Sequence, residues 1–211
     1  MKWELDRTKY LTESEVEKLF STCRQLESDE QSEFGHYYRR VHFMLRLLLD
    51  TGMRVSELAN VRHRDLDLKS ELPSVFVSRG KGKRKRYIPA SKVLVHHAKD
   101  FIRWKENYGL DVSGEAYLLP SMKYPGRRMS ISALENQFCK AVEASCIARK
   151  TIHAGRHSLG VRLYNSKKVG GNLKLIQQIL GHSSTDVSAI YCHIPWDKLC
   201  GLVCEIAREK A

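Results

Sequence analysis

Apolar positions recur mostly at helical intervals along this chain. LTESEVEKLFSTC opens with a capping-box pattern, Thr12 with Glu15 three residues on, and continues with Val16, Leu19 and Phe20 on one helical face. The polar stretch ESDEQSEFG reads as a loop. A strongly apolar helix is expected from about His36 to Asp50, broken at Thr51-Gly52, with MRVSELANV restarting as a short helix. SVFVS and RYIP switch to the pattern of short strands, and RGKGKRK between them makes a hairpin. SKVLVHHAKDFIRWKENYG is a helix closed by Gly109, and YLLP is short and extended up to Pro120. The remainder reads as helices: ISALENQFCKAVEASCIA, HAGRHSLGVRLYNS, NLKLIQQILG, TDVSAIYCH and PWDKLCGLVCEIAREK, the last with Pro195 in its first turn. The pattern predicts a mainly α (α+β) fold: one helical domain carrying a small basic antiparallel hairpin, with no internal repeat.

Size and composition narrow this little. A chain of 211 residues, 42% apolar and 28% charged, is that of a soluble globular protein. Its longest apolar run, FMLRLLLD, is interrupted by Arg46 and falls short of the ~20 residues of a membrane span. MKWELDRTKY lacks the apolar core of a secretory signal, so a cytoplasmic location is expected. The six cysteines have no metal-ligand spacing and are expected to be reduced thiols serving as small hydrophobes. Asp65 and Asp67, the only tight carboxylate pair near a candidate motif, read as turn and strand-edge residues rather than metal ligands. No metal and no cofactor are expected.

Charge changes the picture more. Thirty-six Lys and Arg against 24 Asp and Glu leave a net +12, which favours a polyanionic partner, nucleic acid above all. The cations are also clustered. Six of the eight residues Arg79–Arg86 are basic, with Lys81 between two glycines at the hairpin tip; Arg79, Lys83, Arg84, Lys85 and Arg86 are candidate DNA contacts. In TGMRVSEL, Arg54 and Glu57 stand at i, i+3, either an anion clamp steadied by a carboxylate or an ordinary surface ion pair. In TIHAGRHSLG, His153 and Arg156 share one helix face. In ILGHSSTDVSAIYCH, Gly181 ends a helix, His182 sits at the turn, and Tyr191 follows nine residues later; alone, Tyr191 reads as a packing aromatic.

In combination these segments resemble the catalytic domain of the tyrosine recombinases, the phage-integrase and Xer-type family. TGMRVSELANV is similar to that family's first-arginine box, GKGKRKRYIP to its β-hairpin lysine box, HAGRH to its H-x-x-R-H box, and LGHSSTDVSAIYCHI to its LGH…Y box. The resemblance runs from about Leu11 to Ile194. It implies that Arg54 and Arg156 clamp a scissile phosphate, that Lys81 is the general acid, and that His153 and His182 also contact the phosphate. It further implies that Glu57 supports the arginine site, that His157 lies at the DNA, and that Tyr191 is the nucleophile. The chain departs from the family pattern at Gly155, where a large apolar residue is usual, and in SLGVRLY, which puts local helix packing at issue. Family members generally carry an N-terminal helical domain; residues 1–211 read as a single catalytic domain without it.

The implied activity is site-specific cutting and rejoining of double-stranded DNA through a 3′-phosphotyrosyl intermediate. A type IB topoisomerase would use nearly the same groups, and a catalytically silent DNA-binding regulator would share the fold. The final amphipathic helix, with Leu199, Leu202, Val203 and Ile206 in register, packs either on its own domain or on a neighbouring subunit. The resemblance implies the latter, in a homo-oligomer formed on DNA through residues 195–209.

Overall fold

Thr12 caps the first helix: its hydroxyl accepts the Glu15 N–H at 3.2 Å while the Glu15 carboxylate accepts the Thr12 N–H at 2.7 Å. In the computed structural model, which describes residues 7–28, 32–78, 85–124, 126–166, 173–180, 201 and 203–205 (side chains of 7, 164 and 173 aside), α1 spans Glu13–Glu27 and buries Val16, Leu19, Phe20 and Cys23. Burial pushes the Cys23 thiol up to about 12, with Glu27 adding to the effect, so it serves as a small core hydrophobe. Cys139 and Cys146 depart from that expectation and are exposed.

The second helix, α2 (Glu33–Thr51), starts three residues earlier than its apolar run predicts, because Ser32 caps it by accepting the Gly35 N–H at 2.9 Å. Its residues from Val41 to Leu49 are buried all round apart from the half-buried Arg46, and α1, α4, α5 and α6 pack against it. Gly52 ends α2 in the left-handed region (φ +60°), donating its N–H to the Leu48 carbonyl. After this turn comes α3 (Val55–Leu58), with Arg54 as its N-cap.

The expected hairpin forms, as part of a three-stranded antiparallel sheet in the order β1 (Leu66–Asp67), β2 (Ser74–Val77), β3 (Arg86–Pro89). β1 is too short to show in a periodicity. Asp65 ends the short 3₁₀ turn before it and Asp67 is its last residue: Asp65 accepts the Arg62 N–H at 2.8 Å and Asp67 the Ser70 N–H at 3.1 Å. Register pairs Val75 with Ile88, Phe76 with Tyr87 and Val77 with Arg86. Since side chains alternate along a strand, Arg86 lies on the inward face shared by Ile88, and Tyr87 points out.

Helices α4 (Lys92–Asn107) and α5 (Ile131–Ala144) cover α2, joined through the buried Leu118-Leu119 stretch. α6 (His153–Asn165) packs on α2, and α7 (Leu173–Leu180) joins it in a second apolar cluster of Leu159, Leu163, Leu175, Ile176, Ile179 and Leu180. The departure at Gly155 has a packing explanation. A Cβ there would lie 2.7 and 2.8 Å from Leu48 Cδ2 and Cγ, so Leu48 of α2 fills the room a larger residue would take. Of the expected end helix only Gly201 and residues 203–205 are described, and Val203 packs against the α6–α7 cluster. Among the described residues no helix is long and apolar enough to cross a membrane.

Candidate active site

One helix break and one close helix–helix contact position the two arginines. The Gly52 turn places Arg54 at the mouth of α3, and the contact of Gly155 with Leu48 seats α6 deep enough for the next residue, Arg156, to reach that turn. Arg156 is 7% exposed; its Nη1 donates to the Gly52 carbonyl at 2.7 Å and its Nη2 to the Leu180 carbonyl at 2.5 Å. One guanidinium thus ties together the ends of α2 and α7.

Arg54, whose charge acts on Arg156, is held by a carboxylate. Glu57 is 3% exposed, and its Oε2 accepts the Arg54 backbone N–H at 2.9 Å while its Oε1 accepts Arg54 Nη1 at 3.0 Å. A third guanidinium joins from the sheet: Arg86 donates Nη1 to Glu57 Oε1 and Nη2 to Glu57 Oε2, both at 2.8 Å. Arg86, expected as a DNA contact, here has a partner within the protein. Its place on the inward face of β3 commits its fork to Glu57, where the basic run suggested a DNA contact. The strand alternation was the available signal, since Arg86 stands two residues from the apolar Ile88.

The site is electropositive. Arg54 and Arg86 share one carboxylate, and Arg156 nearby is drawn down to about 10 by burial first, then by the Arg54 charge, with Glu57 opposing and Arg86 adding. It remains a cation at neutral pH, held where an added anion would relieve the repulsion. His153 and His157 are exposed one turn apart on α6. The His157 imidazole is shifted toward its neutral form by partial burial, then by His153, Arg156 and Lys9. Lys9, in the short 3₁₀ turn Arg7–Lys9 that contacts α6, extends this cationic face and was not singled out from the sequence. Lys85 is exposed at the base of the hairpin. Lys81, His182, Tyr191, Arg79, Lys83 and Arg84 lie outside the described residues.

Residues 9–196 match the phage integrase family along most of the chain. The chain belongs to the phage integrase family. The tyrosine recombinase XerC of Bacillus pumilus is 30% identical over 194 residues, covering 90% of this chain and 58% of that protein. That of Chlamydia caviae is 28% identical over 152 residues, covering 72% and 46%. Among solved structures, the XerA recombinase is similar with a TM-score of 0.63 at 25% identity, over 93% of this chain and 64% of that one. The XerH site-specific recombinase bound to its difH substrate shares the fold, with a TM-score of 0.66 at 22% identity over 90% and 51%. The chain spans about half the length of the first curated relatives it matches.

In this phage integrase family domain, Glu57 sets a pH dependence. Burial alone would raise its pKa, but the hydrogen bonds from Arg86 and Arg54, with both guanidinium charges, hold it below the ordinary 4.5. A carboxyl whose folded value is depressed contributes stability above its unfolded pKa and loses it as pH falls through the folded one. Glu57→Gln is therefore expected to flatten the acid limb of a stability–pH curve below about pH 4.5. At neutral pH it should cost about 3 kcal/mol, because two guanidiniums lose their buried counter-charge. Urea unfolding from pH 3 to 7 checks both; an acid limb as steep as wild type would contradict the assignment.

Proposed function

We propose that this chain is the catalytic domain, residues 1–211, of a site-specific DNA recombinase that cuts and rejoins strands through a 3′-phosphotyrosyl intermediate. The observation that supports this reading is the buried Glu57 carboxylate shared by Arg54 and Arg86, with the buried cation Arg156 close enough to feel the charges of all three. Planar guanidinium forks match phosphate oxygens and stay charged at all working pH. They stabilise the negative charge that builds on the phosphorus-bound oxygens as a nucleophile attacks.

Tyr191 supplies that nucleophile. An ordinary tyrosine is ionised at roughly one part in a thousand at neutral pH, so attack draws on the surrounding cations for help. The phenol oxygen bonds to phosphorus, the bond to the 5′ oxygen breaks, and Lys81 protonates the departing 5′-hydroxyl. His153 and His182 add contacts to the phosphate. The phosphotyrosyl link keeps the energy of the broken phosphodiester, and a second 5′-hydroxyl displaces Tyr191 to rejoin the strand. The partner is a specific double-stranded site. Copies of the chain assemble on it, with residues 195–209 joining neighbours, in the cytoplasm where the DNA lies.

The test is a duplex drawn from DNA fragments of the source genome that the protein retains, nicked beside the cut so that the short product diffuses away. The expected result is a denaturation-resistant protein–DNA band that forms in EDTA and is absent in Tyr191→Phe. DNA retained and shifted on such sites without any covalent band would overturn the recombinase reading in favour of a silent binding module.

A further inference from the structure

The end of α2 is held by α6 at more than one point. Leu48 lies against Gly155, the Gly52 carbonyl accepts Arg156 Nη1 at 2.7 Å, and the Leu49 carbonyl accepts Arg162 Nη2 at 2.6 Å. A helix leaves its last carbonyls without partners in its own backbone, and that end attracts cations. Here two guanidiniums of one neighbouring helix answer both needs. Burial draws the Arg162 guanidinium below its ordinary value, with Asp50 opposing, Arg46 adding and Glu13 opposing, and it remains a cation at neutral pH. Arg162 stands in SLGVRLY, the stretch that departs from the family pattern, so that pattern does not account for it.

Two anchors do what one cannot. The bond from Arg156 to the Gly52 carbonyl is a pivot, about which α6 could swing while the bond survived. Arg162 lies six residues further along α6, about 9 Å by helical rise, and its partner Leu49 lies three residues back along α2. A second bond at that separation removes the swing. The apolar contact of Gly155 with Leu48 sets how close the helices lie, but burial of apolar surface has no direction of its own. We propose that Arg162 is a positioning residue, whose bond to the Leu49 carbonyl fixes the angle of α6 on α2 and so holds the Arg156 guanidinium where it receives a phosphate. The assignment rests on reading Arg156 as a phosphate ligand, and it gives Arg162 no contact with DNA. One N–H makes the Arg162 bond, whereas Arg156 reaches two carbonyls with separate N–H groups. The two arginines should therefore respond differently to replacement by lysine.

The variants R162M, R162K and L163A separate the possibilities. One readout is the Nε–H resonance of Arg156 in the free protein, assigned by its loss in R156K, which needs no catalysis. The other is the first-order rate of covalent capture on saturating nicked duplex, measured at a fixed interval below each variant's Tm. R162M fills the space without a donor. It is expected to shift and broaden the Arg156 resonance and to slow capture about 10- to 100-fold, the scale of a small misplacement of a catalytic group. R162K should keep the resonance and stay within about threefold of the wild-type rate, since an ammonium supplies both the charge and the one N–H. L163A is the control for loosened packing. Leu163 is buried in the α6–α7 cluster, so its truncation should lower Tm while both readouts stay as in wild type.

An R162K variant as slow as R162M would overturn the proposal, because the single bond and charge would then not be what matters. So would an L163A variant as slow as R162M, which would mean that any loosening of α6 has the same effect. A wild-type value of either readout in R162M overturns it as well. If R162M fails to fold, D50N/R162M, which also neutralises the carboxylate beside Arg162, takes its place in each comparison. Should the resonance respond as expected while wild type never captures DNA, the recombinase reading fails and the hold of Arg162 on Arg156 stands. Should wild type capture DNA while all three variants match it, the role of Arg162 alone fails.

Discussion

Arg156→Lys is expected to slow covalent capture of DNA by about 10³-fold or more, the scale seen when a preorganised donor to a transition state is lost, while DNA retention stays within a few-fold of wild type. Charge is conserved by this change, so the expected loss comes from geometry. Arg156 bridges the Gly52 and Leu180 carbonyls with separate Nη groups, within reach of the Arg54 charge. A lysine ammonium is a point donor on a flexible stem; it can satisfy one of those carbonyls or meet a phosphate, but cannot hold both geometries together. At least one buried carbonyl is then left without its donor, which costs about 1–3 kcal/mol. Rapid-quench capture on saturating duplex, with thermal unfolding alongside, checks both parts. A capture rate within tenfold of wild type would mean that Arg156 is a strut between helix ends and not a phosphate ligand.

Much of this arrangement can be read in the sequence, for reasons that are local. Thr12 with Glu15, Gly52 after an apolar run, and the two short strand patterns each act within a few residues, and each appears where expected. Arg54 with Glu57, and His153 with Arg156, are likewise i, i+3 relations on helical backbone. What the pattern hides is long-range. The Gly52 carbonyl that holds Arg156 is 104 residues away from it, and no periodicity reports a carbonyl partner. Arg86 sits inside a cationic run whose composition points outward to a polyanion, and only its parity with Ile88 reveals the inward face. Gly155 was a departure from the family pattern until Leu48 supplied the missing volume. The family resemblance named Arg54 and Arg156; the packing shows what holds each of them, a shared carboxylate for Arg54 and two helix-end carbonyls for Arg156.

The same packing makes Gly52 the most constrained backbone position in the site. Its φ of +60° costs an L-residue about 1–2 kcal/mol. A Cβ there would also lie 2.6 Å from Leu180 Cδ2 and 2.9 Å from Leu159 Cδ2, both within the closed α6–α7 cluster, where overpacking costs about 1–3 kcal/mol. Gly52→Ala should therefore lower stability by about 2–5 kcal/mol, and Tm by about 4–20 °C for a domain of this size. Gly109 provides the control. It too has positive φ, at +74°, but nothing lies within 4 Å of a Cβ built there, so Gly109→Ala should show the backbone cost alone. The two variants should differ further in function. Relief of the clash pushes the Gly52 turn away from Leu180, and Arg156 is bonded to the carbonyls of both residues. Covalent capture measured well below each variant's Tm should then fall at least tenfold in Gly52→Ala and stay at the wild-type rate in Gly109→Ala, because a shift of about 1 Å at a positioning contact is enough to cost that much. Equal capture rates in the two variants would show that the turn contributes stability and has no part in aiming Arg156.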